Sequence, residues 1–155
     1  MLETFQATDL VAIAIVISSI ILLGYFGWKT LITSDFYQKG IELYQQKDYQ
    51  GAEAAFRKVI AINSTNDVVR LLLGDVLNQQ DKVEEAKELF TEVIQRSPKN
   101  ADAYLRMANI LMQQNQKEEA KTNLQKAQEL LQKQRQPEQA KKIAQLLEQI
   151  NARSN

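Results

Sequence analysis

Residues 67–100 read DVVRLLLGDVLNQQDKVEEAKELFTEVIQRSPKN, and this stretch decides the fold. Leu73 and Leu77, then Ala86, Phe90, Val93 and Ile94, follow helical spacings on either side of the polar run Gln79-Gln80-Asp81-Lys82. That pattern predicts two amphipathic helices, over 68–80 and 83–95, joined by a short turn. Gly74 and Ala86 are small where the helices must touch, and Phe90 is bulky where a core must be filled. Pro98 stops the second helix, and Asn100 is placed to cap the next.

Stepping outward by 34 residues in each direction finds the same residue types again. Gly40, Gly74 and Ala108 form one series, and Ala52, Ala86 and Ala120 a second. Phe56, Phe90 and Leu124 form a third, and Val59, Val93 and Ala127 a fourth. A repeat of this length predicts stacked helical hairpins, each burying its apolar face against the next.

These residues resemble the tetratricopeptide repeat (TPR). Leu73-Gly74, Leu77, Ala86, Phe90, Val93 and Pro98 carry the closest match, over 67–100. Phe36, Gly40, Leu43, Tyr49, Ala52, Phe56 and Val59 carry it over 33–66. Over 101–134 it rests on Tyr104, Met107-Ala108, Leu111, Ala120, Leu124 and Ala127. The resemblance implies an all-α, right-handed α-solenoid of three helical hairpins that binds protein. Arg70 stands where the family has a large aromatic side chain, and Ser64 and Gln132 replace the terminal proline. Lys47, Asp81 and Asn115 replace the glycine common in the turn inside each hairpin, where the backbone needs a positive φ. Lys tolerates that geometry least, so the first turn is expected to be looser or differently shaped. From Pro137 a last helix, 137–152, turns Ala140, Ile143, Ala144, Leu147 and Ile150 to one face, as a cap over the final repeat would. The same face would also serve a dimer.

The resemblance places the first helix of each hairpin on a concave groove. The residues expected to bind a partner there are Tyr37, Ile41, Tyr44, Leu71, Leu72, Asp75, Leu105, Arg106 and Asn109. Tyr37, Ile41, Leu71 and Leu105 would form an apolar strip, with Asp75, Arg106 and Asn109 as polar selectors. Leu72 and Tyr44 suit either the groove or packing between neighbouring helices. Family members that bind chaperone tails use a clamp of Lys, Asn, Asn, Lys and Arg. The matching positions here are Tyr37, Ile41, Leu72, Asp102 and Arg106, so only Arg106 fits and no such binding is expected.

Ahead of the repeats, residues 10–28 read LVAIAIVISSIILLGYFGW without a charge. As a helix they span about 28 Å, close to a ~30 Å hydrocarbon core. No basic residue precedes them and no small-x-small site follows, so a retained transmembrane anchor is expected rather than a cleaved signal. Lys29, Lys39 and Lys47 lie after the segment, which puts the repeats on the cytoplasmic or stromal side and residues 1–9 in a short tail opposite. Tyr25, Phe26 and Trp28 would sit at the interface, about six residues before the first repeat.

The chain holds 19 basic and 19 acidic side chains, no His and no Cys. That excludes thiolate chemistry and most zinc sites, and provides no basic stripe for nucleic acid. No nucleophile stands beside a base, and no glycine-rich phosphate loop occurs. Glu84-Glu85 and Glu118-Glu119 fall in the first turns of second helices, where they favour the helix dipole. No enzyme activity, metal, cofactor or small-molecule substrate is expected. The plan of one anchor, three repeats and a cap resembles that of the membrane-anchored TPR proteins that assemble or stabilise photosystem I in cyanobacteria and red-algal plastids. That resemblance implies a thylakoid location and a client among photosystem I subunits or assembly intermediates. The alternative is a general bacterial membrane-anchored adaptor for envelope, secretion or pilus machinery.

Overall fold

Each predicted hairpin forms from helices whose ends are written into the local sequence. The computed structural model describes residues 7–152, which form α1 (Ala7–Gln45), α2 (Tyr49–Ile62), α3 (Asp67–Gln79), α4 (Val83–Arg96), α5 (Ala101–Gln113), α6 (Lys117–Lys133) and α7 (Pro137–Ala152). No strand occurs among the described residues. Residues 1–6 of the expected tail lie outside them. Asn66 caps α3 by accepting from the Val69 N–H at 3.1 Å, and Asn100 caps α5 from Ala103 at 3.2 Å. Asp48 does the same for α2 through the Gly51 N–H at 2.9 Å. Each cap satisfies a backbone donor that the helix leaves unpaired.

The three turns inside the hairpins share one geometry. Lys47, Asp81 and Asn115 lie at φ of 63°, 60° and 61°. In each, the N–H of that residue returns three residues back and the next N–H five back, as Asp48 does to the Leu43 carbonyl at 2.9 Å. This is the Schellman arrangement, which satisfies the last carbonyls of the preceding helix. The expectation of a looser first turn is therefore wrong. Lys47 takes the left-handed conformation despite its side chain, because two backbone hydrogen bonds and the Asp48 cap hold it there.

A fourth copy of this turn joins α6 to α7. Arg135 lies at φ 60°, and the Gln136 N–H reaches the Leu131 carbonyl at 2.9 Å. Ala140 follows Arg135 as Ala86 follows Asp81 and Ala120 follows Asn115. Hence α7 folds onto α6 as a second arm folds onto a first, and α6 serves in two successive hairpins. Ala140, Ile143, Leu147 and Ile150 are buried, closing the apolar end of the stack.

The core runs through the stack. One cluster extends from Ala52 and Phe56 through Leu73, Leu77, Phe90 and Val93 to Ile110 and Ala120. A second joins Ala108, Leu124, Ala127 and Leu131 to α7. Gly40 and Gly74 press against the rings of Phe56 and Phe90 so closely that a Cβ at either would fall within 3.0 Å of ring carbons. The third hairpin has Leu124 in place of a ring, and Ala108 in place of glycine. Ring and glycine have been exchanged together. Arg70, at a position the family gives to an aromatic, is only 6 % exposed. Its Nε forms an ion pair with Glu92 at 3.0 Å, while Arg96 and Ser97 hold Asp67 at 3.5 and 2.6 Å. This ionic cluster stands at the position that the family gives to a ring.

The segment 10–28 does not end before the repeats. It continues as α1 through residue 29 and onward into the first arm of the first hairpin, where Gly40 is buried. From Leu10 onward the helix is long and apolar enough to cross a membrane, and its most apolar stretch is unburied. Leu23 is 73 % exposed. The Ser18 and Ser19 hydroxyls donate to the Ile15 carbonyl at 2.9 and 2.8 Å, so neither leaves a donor unmet on that surface.

Gly74→Ala should destabilise the fold by about 1–3 kcal/mol, because the added methyl drives Phe90 off its packing. Combining it with Phe90→Leu should cost less than the two single changes summed, by at least about 0.5 kcal/mol, as read by urea unfolding. Lys47→Gly should raise stability by about 0.5–1 kcal/mol in the same assay, since only glycine is free of strain at that φ.

Candidate protein-binding groove

The residues expected to bind lie on α1, α3 and α5. Tyr37, Ile41 and Tyr44 on α1 are half-buried, and each packs partly on the core. The Tyr37 ring lies 6.5 Å from that of Phe56, and Tyr44 lies 5.8 Å from Tyr49. Leu72 on α3 and Leu105 on α5 are also half-buried, while Asn109 is exposed. Leu71 is a correction. It is 3 % exposed and belongs to the core, so it offers no surface to a partner. Three successive leucines, 71 to 73, leave the helical wheel ambiguous, and packing between units claims Leu71 while Leu72 keeps a partly open face.

Asp75 and Arg106 do not stand apart as separate selectors. The Arg106 Nε donates to both Asp75 oxygens, at 3.0 and 2.8 Å, and so ties α3 to α5 across the middle of the surface. Burial pushes the Asp75 carboxyl above its ordinary value, with Arg106 opposing and the charge of Asp102 adding to the rise. Tyr44 faces the same pair, and its phenol is raised first by burial and then by the Asp75 charge. The surface therefore presents a neutralised polar bridge flanked by half-open apolar side chains. That combination suits an amphipathic segment more than a strongly charged one.

Val68, at the start of α3, is not among the residues expected to bind. It is 58 % exposed, an unusual state for valine. Beside it, Phe26, Lys29, Thr33 and Tyr37 of α1 and Asn63 and Asn66 of the next turn line a cleft of about 550 Å³. The signal was available, since Val68 lies off the apolar face that Leu73 and Leu77 define. Among the described residues, no group of three His, Cys, Asp or Glu side chains is gathered to hold a metal.

The sequence profile of the tetratricopeptide repeat matches residues 43–90 and 77–150. This chain belongs to the tetratricopeptide repeat family. No curated protein matches it in sequence. Among solved structures, the TPR chain is similar to the Yersinia enterocolitica type III secretion translocator chaperone SycD, at 22% identity and a TM-score of 0.72, over 79% of this chain and 94% of that one. The TPR2B domain of yeast Sti1, solved as a complex with pHsp70, is 18% identical with a TM-score of 0.71, over 79% of this chain and 98% of that one. PcrH, solved with the chaperone-binding region of PopD, is 19% identical with a TM-score of 0.70, over 79% and 92% of the two chains. At these identities the likeness is one of fold, and the family is a protein-interaction scaffold rather than a catalytic fold.

Two carboxylates that link neighbouring units, Glu53 and Asp75, titrate in opposite senses. Burial raises Glu53, but hydrogen bonds from Lys82, Gln80 and Arg57 together outweigh it and bring the carboxyl from 4.5 down to about 2. Its stabilising contribution is present above 4.5 and is lost as pH falls toward about 2. Asp75, being raised, holds its proton longer in the native state than in the unfolded chain. Its contribution is present below the ordinary aspartate range and is lost as pH rises through the raised value. In urea titrations run from acid to neutral pH, the wild type should lose stability relative to Asp75→Asn as pH rises. Parallel profiles would show that burial does not govern this carboxyl.

Proposed function

We propose that this TPR chain is a membrane-tethered scaffold that holds a segment of a protein client across α1, α3 and α5. The observation that carries this reading is α1 itself. Its first half is an unburied apolar helix, and its second half is the first arm of the first repeat. An apolar surface of that length needs a nonpolar surrounding, and a bilayer supplies one. Tethering confines the groove to the membrane surface and raises its effective concentration near membrane-protein clients. The neighbouring folds were solved with a peptide of YopD on SycD and with the chaperone-binding region of PopD on PcrH, which supports capture of a segment rather than of a small molecule.

The narrower reading is an assembly or stability factor for photosystem I, holding a subunit or intermediate at the thylakoid with the repeats on the cytoplasmic or stromal side. Its support is the plan of anchor, three repeats and cap, together with the lysines that follow the apolar segment. The second reading is an adaptor for envelope, secretion or pilus machinery.

A charge at Leu71 would break the core. The double change Asp75→Arg with Arg106→Asp keeps the ion pair and reverses its direction across the groove. Circular dichroism and thermal unfolding should stay close to wild type, while client co-purification from native membranes falls by roughly tenfold. Unchanged co-purification would remove the groove from the account. Co-migration with photosystem I on native gels favours the first reading, and occurrence in a non-photosynthetic organism eliminates it.

A further inference from the structure

The turns of this solenoid sort to two edges of opposite charge. Short turns force neighbouring helices to run antiparallel, so α1, α3 and α5 all point the same way. The turns at 63–66, 97–100 and 134–136 therefore share the edge from which the apolar half of α1 emerges. Polar contacts join them in a row. Arg96 donates to the Ser64 carbonyl at 3.0 Å, Ser97 to Asp67 at 2.6 Å, and Gln134 to the Lys99 carbonyl at 2.8 Å. The first of these turns sits directly against α1. Asn63, Asn66 and Val68 share a cleft with Phe26 and Lys29, and Ala61 and Ile62 share another with Tyr25 and Trp28. The opposite edge is joined by Gln80 donating to the Tyr49 carbonyl at 3.3 Å and Gln114 to Glu84 at 3.1 Å.

On the edge beside the apolar helix stand Lys29, Arg96, Lys99, Lys133 and Arg135, against Asp67, Asp102 and Glu138, with Lys133 paired to Glu129 one turn behind it. Asp67 is already engaged by Arg96. Lys99 and Arg135 are exposed and make no ion pair among the described residues. The far edge carries Asp48, Asp81, Glu84, Glu85, Glu118 and Glu119, against three lysines. The positive edge thus faces the side on which the apolar helix leaves, and the negative edge faces away.

Building on the tethered reading above, we propose that the edge formed by 63–66, 97–100 and 134–136 rests on the anionic headgroup layer of the leaflet that α1 enters. Val68, Tyr25 and Trp28 lie at headgroup depth beside the junction, and Lys99 and Arg135 reach anionic lipid further along the stack. The solenoid then lies along the bilayer with its groove opening sideways, and its acidic edge is held away from the negative surface. The occupant is the lipid surface itself. Attraction of this kind comes from basic side chains within a screening length of anionic lipid.

The chain has no cysteine, so single-cysteine dyes read position without background. Full-length Ile20→Cys, Pro98→Cys and Glu118→Cys proteins are reconstituted into phosphatidylcholine vesicles with about 30% phosphatidylglycerol. The Ile20→Cys dye reports insertion through an acyl-chain quencher, and the other two report the edges through a headgroup quencher. Quenching at position 98 should exceed that at 118 by roughly threefold, and the excess should vanish at about 1 M salt, where screening acts within about 3 Å. It should also fall in the Lys99→Glu, Arg135→Glu background while position 20 stays quenched. If position 20 is quenched but 98 and 118 respond alike, the resting edge is wrong and the anchor stands. If position 20 is not quenched, the anchor itself fails and the edge contact with it.

Discussion

The distance between paired helices is set by a bare backbone meeting an aromatic ring. Phe56 against Gly40 and Phe90 against Gly74 leave no room for a methyl group, and this contact draws the arms of the first two hairpins together. Everything buried afterward depends on that spacing. Ala52, Ala86 and Ala120 fit only because the opposing helix is already close, and Val59, Val93 and Ala127 then fall on the seam between units. Interiors pack at near-crystalline density, so relaxing one such contact propagates along the stack. The third hairpin shows the rule by its exception, with the smaller Leu124 allowing alanine at 108.

Much of this was legible in the sequence because it is periodic. The 34-residue series named the contact residues of all three hairpins, and Asn100 announced its cap. What was hidden is local or mutual. The first turn looked unsuited to Lys47, yet side-chain strain there is small beside two backbone hydrogen bonds. Leu71 was ambiguous among three leucines, and only the neighbouring unit decided which of them would be covered. Asp75 and Arg106 lie 31 positions apart, and no pattern in one chain says that they bond to each other. The α6–α7 turn was readable in principle, since Ala140 follows Ala120 by 20 residues, but that shorter spacing is masked by the longer one.

On the proposed reading, function follows from how these units are mounted. A groove built of half-buried apolar side chains and an internally neutralised ion pair has modest grip and modest selectivity. Such a surface gains from being held where its partners are concentrated. On that reading the two edges would add polarity to the mounting, since bases outnumber acids on one and the acids of the second-arm helices outnumber lysines on the other. A scaffold oriented in this way offers its groove in a fixed direction instead of sampling all of them.

Helical continuity through residues 29–36 has a consequence for how such a chain can vary. One residue inserted there turns everything beyond it by about 100° and advances it about 1.5 Å. The junction therefore behaves as a phase and not as a spacer. Insertions of about 7 or 11 residues nearly restore the facing, whereas shorter ones point the groove elsewhere without harming any repeat. Variation in length at this point is quantised by the helical pitch, so compass bearing, and not reach, is the quantity that this part of the chain encodes.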